Sequence, residues 1–427
     1  MTTGRSDSSP AAVEIADAPA EPPRASKRMI SVYTAAMFAG SFALLTPTLF
    51  TVAYKLQVIA PEGKEASLGV IVGAAAVFNL VAGPLFGVLS DRTRTRWGRR
   101  RPWILAGIVI CTASGLLMAL SATPLILGIG WSLYTIGMAA ALGAMNPALA
   151  EVIPSYQRGK VGALVGVGGQ LAGVMGVVLG GMLTGSLLLL FLVPVAVLGV
   201  FFVFYAFTIP DHPVKGAEQG EPIWAIFPQL VFDPRKHRDF ALVWVGRFLM
   251  QVGLTFLSTY QLYFLLDRLG LTPEAASRQL AFVGGLGVLV TTAFAVIGGI
   301  LSDRLKRRKV FIYLASALSA TGLSVLAFAS SVPAFAAAVV FILAAAGLFG
   351  SVDLALASDV MPNKEEAGRW MGIYFVANTT STAIAPIFAP LILAIGKDGA
   401  NYTVLFLVGA TVALGAALAA QRIGSVR

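Results

Sequence analysis

The stretch Gly87-Val-Leu-Ser-Asp-Arg92, followed by Thr-Arg-Thr-Arg-Trp-Gly-Arg-Arg-Arg101-Pro102, lies between two long apolar segments. A close copy, Gly299-Ile-Leu-Ser-Asp-Arg304 followed by Leu-Lys-Arg-Arg-Lys309, occurs 212 residues later, again between two apolar segments. A helix, a short basic loop and a second helix are therefore repeated in a mostly apolar chain. Such a duplication is typical of membrane transporters that are built from two related halves.

A second pair of segments repeats at nearly the same distance. Ala148-Leu-Ala-Glu151-Val-Ile-Pro154 is matched 208 residues later by Leu356-Ala-Ser-Asp359-Val-Met-Pro362. In both copies an acidic residue, two hydrophobic residues and a proline end an apolar stretch, and an arginine follows, Arg158 in one and Arg369 in the other. Two repeats in register predict two pseudo-symmetric halves with the same order of helices.

The composition excludes a soluble globular protein. Of the 427 residues, 57% are hydrophobic and only 12% are charged, and the mean hydropathy is +0.81. A membrane-spanning helix needs about 20 mostly apolar residues. We predict an all-α membrane protein with twelve such helices, at residues 29–54, 66–90, 102–121, 124–150, 161–183, 186–208, 240–265, 280–301, 308–329, 332–358, 369–395 and 401–420.

Little of the chain remains outside these spans. Residues 1–28 are rich in Ser, Ala and Pro and lack an apolar core, so we expect a disordered cytoplasmic tail. The N-terminal half is predicted over 29–208, the C-terminal half over 240–420 and a short cytoplasmic tail over 421–427. Between the halves, the linker 209–239 contains the apolar run 223–232, which is too short to span and is predicted to lie on the membrane surface.

The basic residues indicate how the chain is oriented. The net charge is +10, and with the N-terminus in the cytoplasm 25 of the 31 Lys and Arg fall in cytoplasmic tails and loops. The opposite loops receive five, which are Lys55, Lys64, Arg268, Arg278 and Lys397. This asymmetry follows the positive-inside rule, so we expect both termini in the cytoplasm and a plasma-membrane location. The basic loops would face lipid headgroups, and we expect no nucleic-acid partner.

Both loop motifs resemble those of a known family. Ser90-Asp91-Arg92 with Gly98-Arg-Arg-Arg-Pro102 resembles the loop 2–3 signature of the major facilitator superfamily, and Ser302-Asp-Arg304 resembles its copy between spans 8 and 9. Together with Gly368-Arg-Trp-Met-Gly-Ile-Tyr374, Asn378 and Pro386, the motif is similar to sucrose–proton symporters and glycoside–pentoside–hexuronide cation symporters. The resemblance implies a fold that can work as a monomer, in which spans 1, 4, 7 and 10 line a central path.

This chain departs from the related sugar carriers in one respect. Those carriers place acidic residues inside helices of the N-terminal half, where they bind the coupling cation. Here the interiors of spans 1, 2, 3, 5 and 6 contain no Asp, Glu, Lys, Arg or His, so sodium coupling of the kind found in the melibiose carrier is not expected. Proton coupling would have to use a group elsewhere in the chain.

The best candidates for that group are Arg247 in span 7 and Asp353 in span 10. A charge inside the membrane costs several kcal/mol unless it faces a partner or a cavity. Counted along their helices, both residues lie about 10 Å from the same membrane surface. We therefore expect a pair in which Asp353 exchanges the coupling proton and Arg247 favours its ionised form. A permanent structural ion pair is the alternative.

Uncharged polar and aromatic residues in the spans are candidates for the substrate site. Span 7 carries Gln251, Ser258 and Gln261 at helical spacing, and glutamine amides can both donate to and accept from hydroxyl groups. Aromatic rings could pack against the apolar face of a sugar. The remaining candidates are Trp131, Tyr134, Asn146, Gln170, Tyr260 and Asn378. With few fixed charges available, this set favours a small, neutral, polyhydroxylated substrate, although each residue could instead form a hydrogen bond between helices.

The charged residues of the repeated loops are predicted to form a cytoplasmic gate. Acids and arginines at the helix ends could pair when the cytoplasmic side is closed and separate when it opens. The acids are Asp91, Glu151, Asp303 and Asp359, and the arginines are Arg92, Arg99, Arg100, Arg158, Arg304 and Arg369. A role in membrane orientation alone is the alternative.

These observations favour a secondary active transporter that takes up a sugar or glycoside with protons. An exporter or drug–proton antiporter of the same fold, or a uniporter, remains an alternative. Span 5 lacks the proline that antiporters of this superfamily carry near Gly173–Gly181. The sequence has no nucleophile–base set, metal-ligand cluster or nucleotide-binding loop, so we expect no enzyme activity, no cofactor and no metal.

Overall fold

A computed structural model describes residues 24–209, 231–396 and 400–424, apart from 148, 150, 152 and 364. The described residues form twelve helices that are long and apolar enough to cross a membrane. They are α1 Lys27–Ile59, α2 Lys64–Arg92, α3 Arg101–Leu120, α4 Pro124–Met145, α5 Ser155–Met182, α6 Leu187–Thr208, α7 Arg238–Arg268, α8 Pro273–Leu305, α9 Arg308–Phe328, α10 Val332–Asp359, α11 Ala367–Leu393 and α12 Tyr402–Gln421. The predicted all-α membrane fold is confirmed. The predicted tail 1–28 and surface segment 223–232 lie mostly outside the described residues.

Several helices begin earlier than their apolar windows because capping residues start them in polar sequence. Thr272 accepts a hydrogen bond from the Ala275 amide, and Pro273 occupies the first turn, so α8 starts seven residues before the predicted position 280. Near the C-terminal end of α1, the π-helical turn Pro47–Thr51 continues into the helical segment Val52–Ile59, in which Lys55 is buried. Lys64 is the first residue of α2. Both lysines therefore belong to helices and not to the loop predicted for them.

Each half packs its six helices in the same pattern. In the N-terminal half α1 contacts α5 and α6, and α4 contacts α2 and α3. In the C-terminal half α7 contacts α11 and α12, and α10 contacts α8 and α9. The main contacts between the halves are made by α2 with α11 and by α5 with α8. These two helix pairs decide how far the halves separate at each end.

One end of this interface is tightly closed. We call the end that carries the loops at 93–100 and 306–307 the basic end, and the other the opposite end. Near the opposite end, a methyl group added to Gly69 of α2 would lie 2.3 Å from the carbonyl oxygen of Pro386 on α11. A methyl group added to Gly181 of α5 would lie 1.7 Å from Ser277 Oγ on α8. Only glycine allows the two halves to approach this closely.

The halves are apart at the basic end. Gly87 lies 18 residues after Gly69, which is five turns of α2, so both face the same side of the helix. A methyl group added to Gly87 would meet no described atom within 4 Å. On α5, Val174 contacts Gly284 of α8, whereas Val167, two turns nearer the basic end, is exposed. The interface is therefore closed at the opposite end and open at the basic end.

Candidate functional site

Three side chains from three helices meet at a buried carboxylate. Arg247 Nη1 on α7 donates to Asp353 Oδ2 on α10 over 2.9 Å, and the Tyr374 hydroxyl on α11 donates to the same oxygen over 2.7 Å. Arg247 Nη1 also donates to the Tyr374 hydroxyl, and its guanidinium lies 4.1 Å from the centre of the Tyr374 ring. These residues form a closed group, which we call the Arg–Asp–Tyr triad.

The triad lies inside the C-terminal half, away from bulk solvent. The Asp353 side chain is 3% exposed and that of Arg247 is 16% exposed. A carboxylate at this depth is tolerated because a guanidinium and a hydroxyl both donate to it. The predicted proximity of Arg247 and Asp353 is thus present in the structure. Tyr374 was not predicted as a partner, since a tyrosine in a span is common and nothing in its spacing marks it.

A cavity of about 370 Å³ lies between the two halves, lined by residues of α1, α5, α7, α8 and α10. Most of its wall is leucine, valine and glycine. Its polar groups are the side chains of Gln170 on α5 and of Gln251, Ser258 and Gln261 on α7. None of the described residues that line it carries a charge. Both halves therefore contribute hydrogen-bonding groups to one neutral, mostly apolar chamber.

The triad and the cavity are adjacent along α7. Arg247 precedes Gln251 by four residues, so the two side chains lie about one helical turn, or about 6 Å, apart along the same face. Gln251 lines the cavity, and Arg247 lies one turn nearer the basic end. A movement of Arg247 and its helix turn would therefore reach the cavity wall directly.

The other predicted substrate residues do not line this cavity. Trp131 and Tyr134 stack at 5.7 Å inside the N-terminal half, and the Tyr134 hydroxyl donates to the carbonyl of Ala43. Tyr260 precedes Gln261 on α7, but adjacent residues of a helix point about 100° apart. The Tyr260 hydroxyl instead donates to the Glu65 and Pro386 carbonyls at the opposite end. Asn146 is exposed after the end of α4, and Asn378 is half-buried on α11.

The repeated loop motifs form equivalent clusters of ion pairs at the basic end. In the N-terminal half, Arg99 lies 2.6 Å from Glu151 and 4.0 Å from Asp91, and Arg100 also pairs with Glu151. The repeat predicts the acids of the C-terminal cluster but does not single out Arg308, the arginine that binds them. It lies 2.6 Å from Asp359 and 3.6 Å from Asp303.

These pairs do not bridge the two halves. Each one joins residues of a single half, and Arg369 pairs with Glu366 at the start of its own helix, which holds the pKa of the Glu366 carboxyl below its usual value. Arg158 donates to the Ile153 carbonyl, while Arg92 and Arg304 are exposed. The pairs are present although the basic end is open, which differs from the expectation that they form only on closure. Each cluster connects the second and third helices of its half, where the loop joins them, with the segment at or just after the end of the fourth helix.

The family of the chain follows from comparison with known proteins. The model of the family described as Major Facilitator Superfamily matches residues 29–290 and 243–423. The nucleoside transporter NupG has the same fold, with a TM-score of 0.76 at 13% identity, covering 92% of this chain and 99% of that one. A peptide transporter POT in complex with sulfate gives 0.75 at 12% identity, covering 93% and 94%.

Curated relatives match shorter segments. An uncharacterized symporter of Synechocystis sp. is 46% identical over 41 residues, which are 10% of this chain and 8% of that protein. Solute carrier family 45 member 4 of Mus musculus is 31% identical over 170 residues, which are 36% of this chain and 21% of that protein. The matched segments thus span less than a quarter of the length of these relatives. Since the family model covers nearly the whole chain and twelve helices are long and apolar enough to span a membrane, the protein is a multi-pass membrane protein that belongs to the Major Facilitator Superfamily.

Proposed function

We propose that this transporter takes up a neutral, polyhydroxylated substrate, a sugar or glycoside, together with protons. The observation that carries the proposal is the adjacency of an uncharged cavity between the halves and a buried Arg–Asp–Tyr triad one turn away on α7. The cavity volume of about 370 Å³ falls within the range of small-molecule sites, about 300–1,000 Å³.

The polar groups of the cavity suit hydroxyl-rich substrates. Three amides and one hydroxyl can each donate and accept hydrogen bonds, as sugar hydroxyls require. A charged substrate would leave water for a chamber without an opposite charge, at a large desolvation cost. Gln170 lies on the N-terminal half, and the other three polar groups lie on the C-terminal half. A substrate that bonds both sides would draw the halves together and so promote the change of state.

Asp353 is the proposed proton site. When its carboxylate takes up a proton, it loses the charge that holds the Arg247 guanidinium, and Arg247 and Tyr374 are no longer fixed to one oxygen. Because Arg247 is one turn from Gln251, this release would change the position of a cavity-lining amide. The name of the Synechocystis relative, a symporter, is consistent with coupled transport.

The distribution of basic residues assigns the open end of the protein to one side of the membrane. We infer that the basic end faces the cytoplasm, since 25 of the 31 Lys and Arg then lie on the cytoplasmic side. On this assignment the state described above is open to the cytoplasm and closed to the outside of a plasma membrane.

The test is a measurement of external pH in a lightly buffered suspension of de-energised cells that express the protein. Sugars are added first, starting with disaccharides, and then nucleosides, because a structural neighbour is a nucleoside transporter. Alkalinisation by one sugar, absent in Asp353→Asn and retained in the matched control Asp233→Asn at an exposed loop position, supports the proposal. Alkalinisation that persists in Asp353→Asn rules out Asp353 as the proton site. Equilibration of labelled sugar without any pH change indicates a uniporter.

A further inference from the structure

A charged pair at the opposite end joins the two halves of the protein. Lys64 is the first residue of α2 in the N-terminal half, and its Nζ lies 2.5 Å from Asp267 Oδ1. Asp267 belongs to the π-helical turn that ends α7 in the C-terminal half. The Lys64 side chain is 8% exposed and the Asp267 side chain 32% exposed. Every ion pair described above for the basic end lies within one half, whereas this one crosses the interface.

Each half holds its member of the pair in place. In the N-terminal half, Lys64 Nζ donates to Gln57 Oε1 over 2.6 Å. In the C-terminal half, the Tyr402 hydroxyl of α12 donates to Asp267 Oδ2 over 2.8 Å. The Lys64 ammonium also lies 4.9 Å from the centre of the Tyr263 ring. Because both charges are anchored separately, little side-chain freedom is lost when the halves meet.

Hydrogen bonds between the halves surround the pair. The Tyr263 hydroxyl donates to the Ala53 carbonyl over 2.9 Å, and the Tyr260 hydroxyl donates to the Glu65 carbonyl over 3.3 Å. These tyrosines lie on α7, and their acceptors lie on α1 and α2. Tyrosines that close an interface with their hydroxyl groups make contacts that must all break if the interface opens.

We propose that Lys64 and Asp267 form the lock of the opposite-end gate, paired while that end is closed and separated when it opens. The inference rests on alternating access, which the proposed function uses, but not on the identity of the substrate or on proton coupling. On separation, Lys64 keeps Gln57 and Asp267 keeps Tyr402, so neither charge is left without a partner. The pair therefore stabilises the closed opposite end without preventing its opening. The free energy lost when the pair separates is partly offset by the hydrogen bond that each residue keeps in its own half.

The lock can be tested with a thiol reporter placed away from it. Cys111 is the single cysteine and is buried, so Cys111→Ala gives a cysteine-free background. In this background Ser277→Cys sits at the closed interface, where Ser277 is 3% exposed and faces Gly181. A water-soluble maleimide should label this cysteine only when the opposite end opens. The measured quantity is the labelling rate of the purified protein in detergent, without substrate.

We expect Lys64→Gln and Asp267→Asn each to raise the labelling rate about fivefold, the factor that corresponds to an ion pair at the upper end of the exposed range. The exchange of both charges, Lys64→Asp with Asp267→Lys, should return the rate toward that of the parent. Asp233→Asn, which removes an exposed carboxylate in the segment before α7, is the matched control and should leave the rate unchanged. Thermal unfolding of each variant confirms that it is folded.

A second measurement does not depend on the neutral variants. In the same background, a short bis-methanethiosulfonate cross-linker that replaces the length of the lysine side chain should join Lys64→Cys to Asp267→Cys, stop transport and be reversed by reductant. Unchanged labelling in both single variants, or cross-linking that leaves transport intact, would overturn the lock. If the parent protein shows no sugar-dependent alkalinisation while Lys64→Gln still alters the labelling rate, the lock stands and only the proposed function is contradicted.

Discussion

Arg247 and Tyr374 donate to the same oxygen of Asp353, and the Arg247 guanidinium lies against the face of the Tyr374 ring. The Asp353 carboxylate on α10 is thereby bound by side chains of α7 and α11, so it links three helices of the C-terminal half. A change in the protonation of that one carboxyl group acts on all three helices at once. This arrangement connects the chemistry of one atom with the packing of half of the molecule.

The triad should dominate the stability of the C-terminal half. Arg247→Gln leaves the Asp353 carboxylate buried without its cation, so we expect the free energy of unfolding to fall by about 3–5 kcal/mol. In the double variant Arg247→Gln with Asp353→Asn the unpaired charge is absent, and most of the loss should be recovered. Unfolding in detergent micelles, followed by circular dichroism, measures both effects. If the loss of unfolding free energy in the double variant equals the sum of the losses in Arg247→Gln and Asp353→Asn, the two residues do not act as a pair.

The amides of the cavity should control apparent affinity. Gln170→Leu and Gln251→Leu each remove one hydrogen-bonding group while keeping the side-chain size similar, and we expect KM for the transported sugar to rise about fivefold in each. Tyr134→Phe serves as the control because the Tyr134 hydroxyl bonds the Ala43 carbonyl inside the N-terminal half. Initial uptake rates over a range of sugar concentrations provide KM. An increase in KM for Tyr134→Phe, but not for the two glutamine variants, would move the substrate site elsewhere.

The two glycines of α2 should respond in opposite ways to the same substitution. Gly69→Ala places a methyl group 2.3 Å from the Pro386 carbonyl oxygen, so the closed opposite end should lose about 1–3 kcal/mol. Gly87→Ala meets no described atom within 4 Å in this state and should leave it unaffected or slightly favoured. The labelling rate of Ser277→Cys should therefore rise in the first variant and not in the second. Equal rates in both variants would mean that α2 and α11 do not seal this end.

The ion pairs of the basic end should not decide which state the protein adopts. Arg308→Gln breaks the contacts with Asp303 and Asp359, but all three residues move together in one half. We expect a lower temperature of unfolding and no change in the labelling rate of Ser277→Cys. The same substitution at Arg100 tests the N-terminal copy. A marked change in labelling would restore the idea that these clusters act as a gate between the halves.

The fold could be predicted from the sequence because the membrane makes hydropathy decisive and because the chain repeats itself. Twelve apolar windows and two motifs in register leave few other arrangements. The helix ends were less predictable: α8 begins at Thr272 through a capping hydrogen bond, in a segment whose polar residues fall outside any hydropathy window. Hydropathy detects the part of a helix that lies in lipid and not the turns that extend beyond it.

The site was predictable only where charge is rare. Arg247 and Asp353 stand out because ionisable residues inside spans are costly, and that cost implies a partner. Tyr374 and Tyr260 are both tyrosines in spans, yet one binds the carboxylate and the other closes the opposite end. Side-chain chemistry does not distinguish them; the direction each helix face points does. Lys64 and Asp267 lie 203 residues apart without a repeated motif, so only the three-dimensional structure brings them together.

The spacing of Gly69 and Gly87 allows the two ends of α2 to move in opposite directions when the helix rotates. The two glycines are separated by about 27 Å along one face of the helix, so each lies about 13 Å from the midpoint between them. A rotation of α2 over α11 by about 17° about that midpoint displaces each end by about 4 Å in opposite directions. A movement of that size would lift Gly69 from Pro386 while lowering Gly87 toward the facing helix. Because the two glycines lie at equal distances from the centre of rotation, one small rotation of α2 would open the interface at one end of the protein and close it at the other.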